Sequence, residues 1–229
     1  MEPLKSANPQ AEAIAESITN AIMEQRLAPG SKLSESRMAD AFNVSRTKTN
    51  QALMILAESG LVQQLPNRGF FVNSPSITEA KQVFALRHLL EPEIVRGVIA
   101  HIKDNDIKLL HDHLTAEKQA RECSDRRAII RLSGEFHMLL AAMCGNRYID
   151  KIMAELCPLT CLIIALYDVP NTPACPEDEH QHIVSAIELG EEDKAISLMQ
   201  HHLKHIEKAL KLDSSNNSSK EIKWENILG

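Results

Sequence analysis

Aromatic side chains are scarce in this sequence: one Trp, two Tyr and five Phe among 229 residues. The core therefore has to be built from aliphatic side chains. Glycine is scarce as well, at 8, which disfavours a turn-rich β architecture and favours helix. No run of about 18 apolar residues occurs, so no membrane-spanning helix is expected. The opening Met-Glu-Pro-Leu-Lys lacks the apolar stretch of a secretory signal, and a cytoplasmic location with no membrane partner follows. The five cysteines (Cys123, Cys144, Cys157, Cys161, Cys175) are odd in number and include no Cys-x-x-Cys pair. Neither a zinc ribbon nor a dithiol redox motif is expected, and most of the thiols should be buried.

Excess positive charge is also missing, since the net charge is −6. Its distribution is uneven. Residues 1–73 hold seven Lys/Arg and seven Asp/Glu, and the remaining 18 bases and 24 acids carry the whole −6. The first third of the chain is thus the part least repelled by a polyanion.

What is present starts at Ser45. It sits where a helix N-cap belongs, and Leu53, Leu56 and Ala57 follow at helical spacing before Gly60 stops the pattern. The first turn then projects Arg46, Thr47, Lys48 and Asn50: two cations, a hydroxyl and an amide, with no acid among them. Such a turn suits the major groove of DNA, where these side chains reach base edges and phosphates. An ordinary surface helix start is the competing reading, and the neighbouring segments decide against it. Upstream, a helix is expected from Glu12 to about Arg26, then a turn at Pro29-Gly30, then a short helix capped by Ser34. Two short helices joined by Phe42-Asn43-Val44 make a helix-turn-helix. Downstream, residues 61–65 and 70–72 read as strands around the turn Pro66-Asn67-Arg68-Gly69. That hairpin is a wing, with Arg68 at its tip and Gly69 allowing close backbone approach to a groove.

The expected organisation is a flexible arm (1–10), a winged helix-turn-helix (11–73), a linker (74–77), an all-helical domain (78–212) and a disordered Ser/Asn-rich tail (213–229). In the helical domain, Thr78 is read as capping a helix kinked at Pro92. Asp104 or Asp106 opens a second helix, and Ser124 opens a third that ends at Gly145. Residues 147–166 form a fourth, bent near Pro158. After a Pro-rich loop at 168–176, Pro176 starts a fifth helix that Gly190 ends, and 191–211 form the sixth. The fold class is therefore mainly α: a winged helix-turn-helix followed by an antiparallel six-helix bundle.

The N-terminal part resembles the winged-helix domain of the GntR family of bacterial transcription regulators. The residues that carry this are 27–33 (Leu-Ala-Pro-Gly-Ser-Lys-Leu), Val44-Ser45-Arg46-Thr47, Ala52-Leu53, Ser59-Gly60-Leu61-Val62 and Arg68-Gly69-Phe70-Phe71-Val72. The helical part is similar to the family's six-helix FCD effector domain, on Arg87 with Glu91, Phe136-His137, Gly145-Asn146, Glu179-His180 and His202-Leu203. Two departures stand out. Where the family usually has Pro-Val-Arg-Glu after Ser-Arg-Thr, this chain has Lys48-Thr49-Asn50-Gln51. Asn pairs with adenine where Arg prefers guanine, so a different operator is expected. The metal-binding members carry an Asp one turn before the Phe-His histidine, and here that position is Ser133.

The resemblance implies a divalent metal, Zn²⁺ or Ni²⁺, on His137, His180 and His202, a three-His set that leaves positions open for an acid. Loss of the Asp should lower its affinity. The other seven histidines mix with charged residues and read as surface. Arg87, Ser133 and Asn146 are effector candidates, with a plain salt bridge from Arg87 to Glu91 as the alternative. The expected function is a dimeric, metabolite-responsive repressor on a pseudo-palindromic operator, released by a small carboxylate. The rivals are a hydrolase using the three-His metal and a DNA-binding protein with a metal-free pocket.

Overall fold

The computed structural model describes residues 8–168 and 178–212. The arm before residue 8, most of the loop after Asp168 with Pro176, and the tail from residue 213 lie outside the described residues.

The chain opens with α1 (Pro9–Met23), which begins three residues earlier than Glu12 because Pro9 fits the first helical position. Ile14, Ile18 and Ile22 form its buried stripe. A two-residue strand β1 (Lys32–Leu33) follows, then α2 (Glu35–Phe42), capped by the Ser34 hydroxyl. Asn43 takes the left-handed conformation at φ 52° and turns the chain into α3 (Arg46–Glu58). Ser45 caps α3 as expected, its Oγ accepting from the Lys48 N–H at 3.3 Å. Beyond Gly60, at φ +75°, β2 (Val62–Leu65) and β3 (Gly69–Val72) form the wing. The sheet order is β1-β3-β2, all antiparallel. Strand β1 was not expected, because two residues carry no periodicity. It exists only through pairing of Lys32 with Phe71 and Leu33 with Phe70.

The helical domain starts at α4 (Ile77–His101), not at Thr78. Ser76 is the N-cap and makes a capping box with Glu79, which satisfies two backbone donors at once. Helices α5 (Asp104–Glu122), α6 (Arg126–Met143), α7 (Arg147–Tyr167), α8 (Glu179–Glu188) and α9 (Glu192–Ala209) complete the bundle. Asp125, not Ser124, caps α6 through the Ala128 N–H. Both α4 and α7 continue through their prolines, Pro92 and Pro158. Each proline withdraws one backbone donor without ending the helix.

The two domains share a core. The winged-helix cluster of Ile14, Ile18, Leu53, Leu56 and Phe70 takes in Leu162 from α7. Met23, at the end of α1, is buried with Phe84, Ile130, Cys161 and Ile206 of the bundle. Helix α1 thus packs on α3 on one side and on α6 and α7 on the other.

Candidate metal centre and nucleic-acid interface

The buried stripe of α6 runs Ile130, Ser133, His137, Leu140, at the three- and four-residue spacing of one helix face. It puts His137 into the bundle interior, where His180 from the first turn of α8 and His202 from α9 also point. The three are 2%, 2% and 0% exposed. Their Nε2 atoms converge: His137 to His202 is 3.2 Å and His180 to His202 is 3.1 Å. All three ligand atoms lie within 4.8 Å of one another.

Each ring is held from behind by a glutamate. His137 Nδ1 is 2.6 Å from Glu91, His180 Nδ1 2.8 Å from Glu117, and His202 Nδ1 2.7 Å from Glu179. Burial would raise these carboxyls, but their partners win. Arg87 and His137 hold Glu91 at about 2, and His202 and His205 hold Glu179 at about 2. Hydrogen bonds from His113 and His180 keep Glu117 well below the usual carboxylate range. An ionised carboxylate only accepts, so each Nδ1 carries the proton and donates. Burial, stronger than the pull of the glutamates, brings His137 down to about 4 and His202 to about 3. Both rings are therefore neutral at pH 7, and their Nε2 atoms are lone pairs facing one another. Lone pairs this close repel unless a cation lies between them. Two nitrogens each about 2.0–2.1 Å from one ion sit about 2.8–3.4 Å apart between octahedral and tetrahedral angles. The donor set fits a borderline divalent ion, with a glutamate behind every ligand to fix its tautomer.

Arg87 on α4 is buried beside this group. Its Nε donates to Glu91 Oε1 at 2.7 Å and its Nη1 to Thr160 Oγ1 at 3.2 Å. Its Nη2 lies 2.7 Å from the same Glu91 oxygen, but makes no hydrogen bond of sound geometry. Burial alone would lower the guanidinium, and Glu91 outweighs it, so Arg87 stays charged. The salt bridge to Glu91 is therefore real, with Nε and Nη2 both on one Glu91 oxygen and Nη1 on Thr160. Arg87, Ser133, His137 and Thr160 line one small cavity together with Cys157 and Cys161. Burial pushes both thiols up to about 12, so they are neutral there.

Asn146 is elsewhere. It is exposed and caps α7, its Oδ1 accepting from the N–H groups of Tyr148 and Ile149, and it is not among the residues lining the Arg87 cavity. His113, read as surface, is half-buried and bonds the Leu132 carbonyl at 3.0 Å. The supporting glutamates had a sequence signal. Glu91 falls on the stripe Phe84, Arg87, Ile94, Val98, and Glu117 on Leu110, Leu114: acids in register with apolar residues.

At the other end, Arg46 and Thr47 are exposed on the first turn of α3, and Ser45 serves as its cap. Lys48 and Asn50 are half-buried and engaged. Lys48 Nζ donates to Asn8 Oδ1 at 2.6 Å, and Asn50 Nδ2 donates to Glu35 Oε1 at 2.7 Å. The expectation that Asn50 projects freely from the helix is thus corrected: Glu35 of α2 has claimed its amide. On the wing, the Arg68 guanidinium lies 5.4 Å from the Phe71 ring centre and Lys32 Nζ 5.9 Å from it. Gly69 takes φ +88°, with open space where a Cβ would stand.

Comparison with known proteins agrees with both halves. Residues 10–72 match the bacterial regulatory proteins of the gntR family, and residues 82–205 match the FCD domain. The chain is 27% identical over 193 residues to the HTH-type transcriptional repressor RspR of Escherichia coli K12, covering 84% of this chain and 85% of RspR. It is 27% identical over 220 residues to the repressor NanR of Enterobacter sp. strain 638, covering 84% and 82%. Among solved structures, E. coli McbR/YncC superimposes with a TM-score of 0.75 at 16% identity, over 87% of this chain and 97% of that one. A GntR regulator from Rhodococcus sp. RHA1 gives 0.74 at 23%, over 87% and 96%. At such identity the two structures speak for the fold. The relatives are regulators and not enzymes, which removes the hydrolase alternative. The chain belongs to the GntR family of transcriptional regulators, with a winged-helix DNA-binding domain followed by an FCD domain.

Proposed function

We propose that this regulator is a cytoplasmic repressor that binds a pseudo-palindromic operator as a homodimer and leaves it when a small carboxylate enters the FCD domain beside a divalent metal. The observation that carries the metal is the convergence of three Nε2 atoms, each on a ring whose Nδ1 is tied to a glutamate. His137, His180 and His202 hold the ion, Zn²⁺ or Ni²⁺, and an ion there supplies a Lewis-acidic position for an effector oxygen. Arg87 lines the same cavity, and Ser133 adds a hydroxyl where a carboxylate ligand would otherwise take up the space.

DNA binding is assigned to Arg46 and Thr47, with Ser45, Lys48 and Asn50 positioning the helix, and to Arg68 and Gly69 on the wing. Repression is supported by the two repressors among its relatives. Dimerisation is supported by apolar residues left exposed on packed helices, Leu86 and Leu89 of α4 and Tyr148 and Ile152 of α7. A population shift between a DNA-competent and a released dimer requires the effector to bind the released form more tightly.

The test is fluorescence anisotropy on operator DNA with metal-loaded and metal-stripped protein, titrated with small organic acids. Metal-dependent release by an acid supports the reading. Operator binding indifferent to metal and to every acid rejects the effector half and keeps only the DNA-binding half.

A further inference from the structure

We infer that Gln51 of α3 reads a guanine edge in the operator, and that Asn8, the residue just before α1, is the positioning residue that selects this base by holding the Gln51 amide with its N–H donors outward. This rests on the DNA-binding reading above and deepens it.

The exposed face of α3 leads to Gln51. Thr49, Ala52, Leu53 and Leu56 form the buried side of the helix. The opposite side carries Thr47, Gln51 and Met54, all exposed and spaced i, i+4 and i+7 along one face. Lys48 and Asn50 flank that stripe, half-buried and bonded to Asn8 and to Glu35. In a helix-turn-helix the second helix lies in the major groove, with the residues of its N-terminal part against the base edges. Gln51 is therefore the amide on the groove-facing stripe, one turn beyond Thr47, and it can fill the reading role that Asn50 has given up to Glu35.

The bonding of Asn8 decides which end of that amide faces out. Asn8 stands at the N-cap position of α1, yet its side chain makes no capping bond there. It reaches α3 instead: its Oδ1 accepts from Lys48 Nζ at 2.6 Å, and its Nδ2 donates to Gln51 Oε1. The order of these bonds is fixed by chemistry. An ammonium group only donates, so Lys48 must meet the Asn8 oxygen, and the Asn8 nitrogen is what faces Gln51. Gln51 then has to offer its oxygen. Its Oε1 and Nε2 lie on opposite sides of the side-chain axis, so Nε2 turns away from Asn8 carrying two donors and no acceptor. An unconstrained Gln pairs with adenine through one donor and one acceptor. A Gln held donor-first matches guanine better, because guanine presents two acceptors, N7 and O6, to the major groove.

The experiment is selection from a random DNA pool with the full chain, run on wild type, Arg46→Ala, Gln51→Ala and Asn8→Asp, followed by anisotropy on the selected sites. Wild type is expected to enrich guanine at one symmetric pair of positions. Gln51→Ala should lower that preference about tenfold and keep the rest of the site. Asn8→Asp is the decisive variant. A carboxylate only accepts, so it takes both the Lys48 ammonium and the Gln51 Nε2, and Oε1 turns outward in its place. Selection at that position should then move to cytosine or adenine, whose exocyclic amines donate. A merely structural role for Asn8 would lower affinity for every sequence and leave the selected base unchanged. Asn8 makes no cap on α1 and Gln51 is exposed, so neither replacement removes a core contact or a helix cap. Guanine retained by Gln51→Ala, adenine in wild type at the position that Gln51 governs, or guanine unchanged in Asn8→Asp overturns the inference, while weakened binding by Arg46→Ala in the same series keeps the docking of α3. If wild type enriches no sequence at all, the DNA-binding reading falls and the inference with it.

Discussion

Glu91 joins Arg87 to His137: one carboxylate oxygen accepts from the guanidinium at 2.7 Å and the other from the imidazole at 2.6 Å. All three side chains are essentially buried. The anion keeps Arg87 compensated inside the bundle and fixes the proton of His137 on Nδ1, so that Nε2 is free to ligate.

Glu91→Gln should therefore fail in two ways at once. The neutral amide leaves a buried guanidinium uncompensated, which costs about 3–5 kcal/mol when one partner of a buried pair is lost. It also weakens the tautomer control of His137, which should lower metal affinity about 10- to 100-fold. Thermal unfolding with and without metal, together with zinc titration of the folded variant, separates the two. Wild-type zinc affinity in a folded Glu91→Gln would show that Glu91 serves Arg87 alone.

Ser133 precedes His137 by one helical turn and faces the same cavity. Ser133→Asp should tighten metal binding, because a carboxylate adds both a ligand oxygen and a compensating charge. His180→Ala and His202→Ala should nearly abolish it. Metal content after dialysis against excess Zn²⁺ or Ni²⁺ measures this. Wild type and Ser133→Asp both emerging without metal would mean that the three rings do not form a site.

The metal-free chain should lose stability as pH falls from about 6.5 towards 4. Burial holds His137 near about 4 and His202 near about 3 in the folded state, whereas the unfolded rings titrate near about 6.5. Between those values the unfolded chain binds more protons, so acid favours unfolding. Urea midpoints across this range, read with and without zinc, test it. A flat profile for the metal-free protein would contradict neutral buried histidines.

Arg46→Ala should cost about 1–3 kcal/mol on the cognate operator if Arg46 reaches a base edge, while Arg68→Ala should weaken all sequences alike and lower the salt slope by about one. Anisotropy on operator and scrambled DNA at several salt concentrations distinguishes these. Unchanged affinity in both variants would remove the docking geometry.

Asn50 offers a sharper test, because its amide is engaged by Glu35 at 2.7 Å. Asn50→Ala should lower affinity by loosening α2 from α3 and leave the selected base sequence unchanged. Selection from a random DNA pool decides it: a new base at one symmetric pair of positions would mean that Asn50 lets go of Glu35 and reads DNA itself.

Most of the elements and their order could be read from local residue patterns, strand β1 being the exception. Ser45 could be read as a cap because capping is local: a short hydroxyl facing the N–H groups of the next turn. Gly60 and the wing were legible for the same reason. The three histidines were named through family resemblance, and their burial follows from the stripes on which they lie. What tertiary structure alone decided are the relations between residues far apart in the chain. The pairing of Lys32 with Phe71 created a strand that two residues could not announce. The capture of Asn50 by Glu35 depended on how α2 crosses α3. The assignment of one glutamate to each histidine required α4, α5 and α8 to meet α6 and α9 around a common point. Periodicity places a side chain on the buried face of its own helix. It carries no information about which residue of another helix will stand opposite, because that depends on how the helices pack.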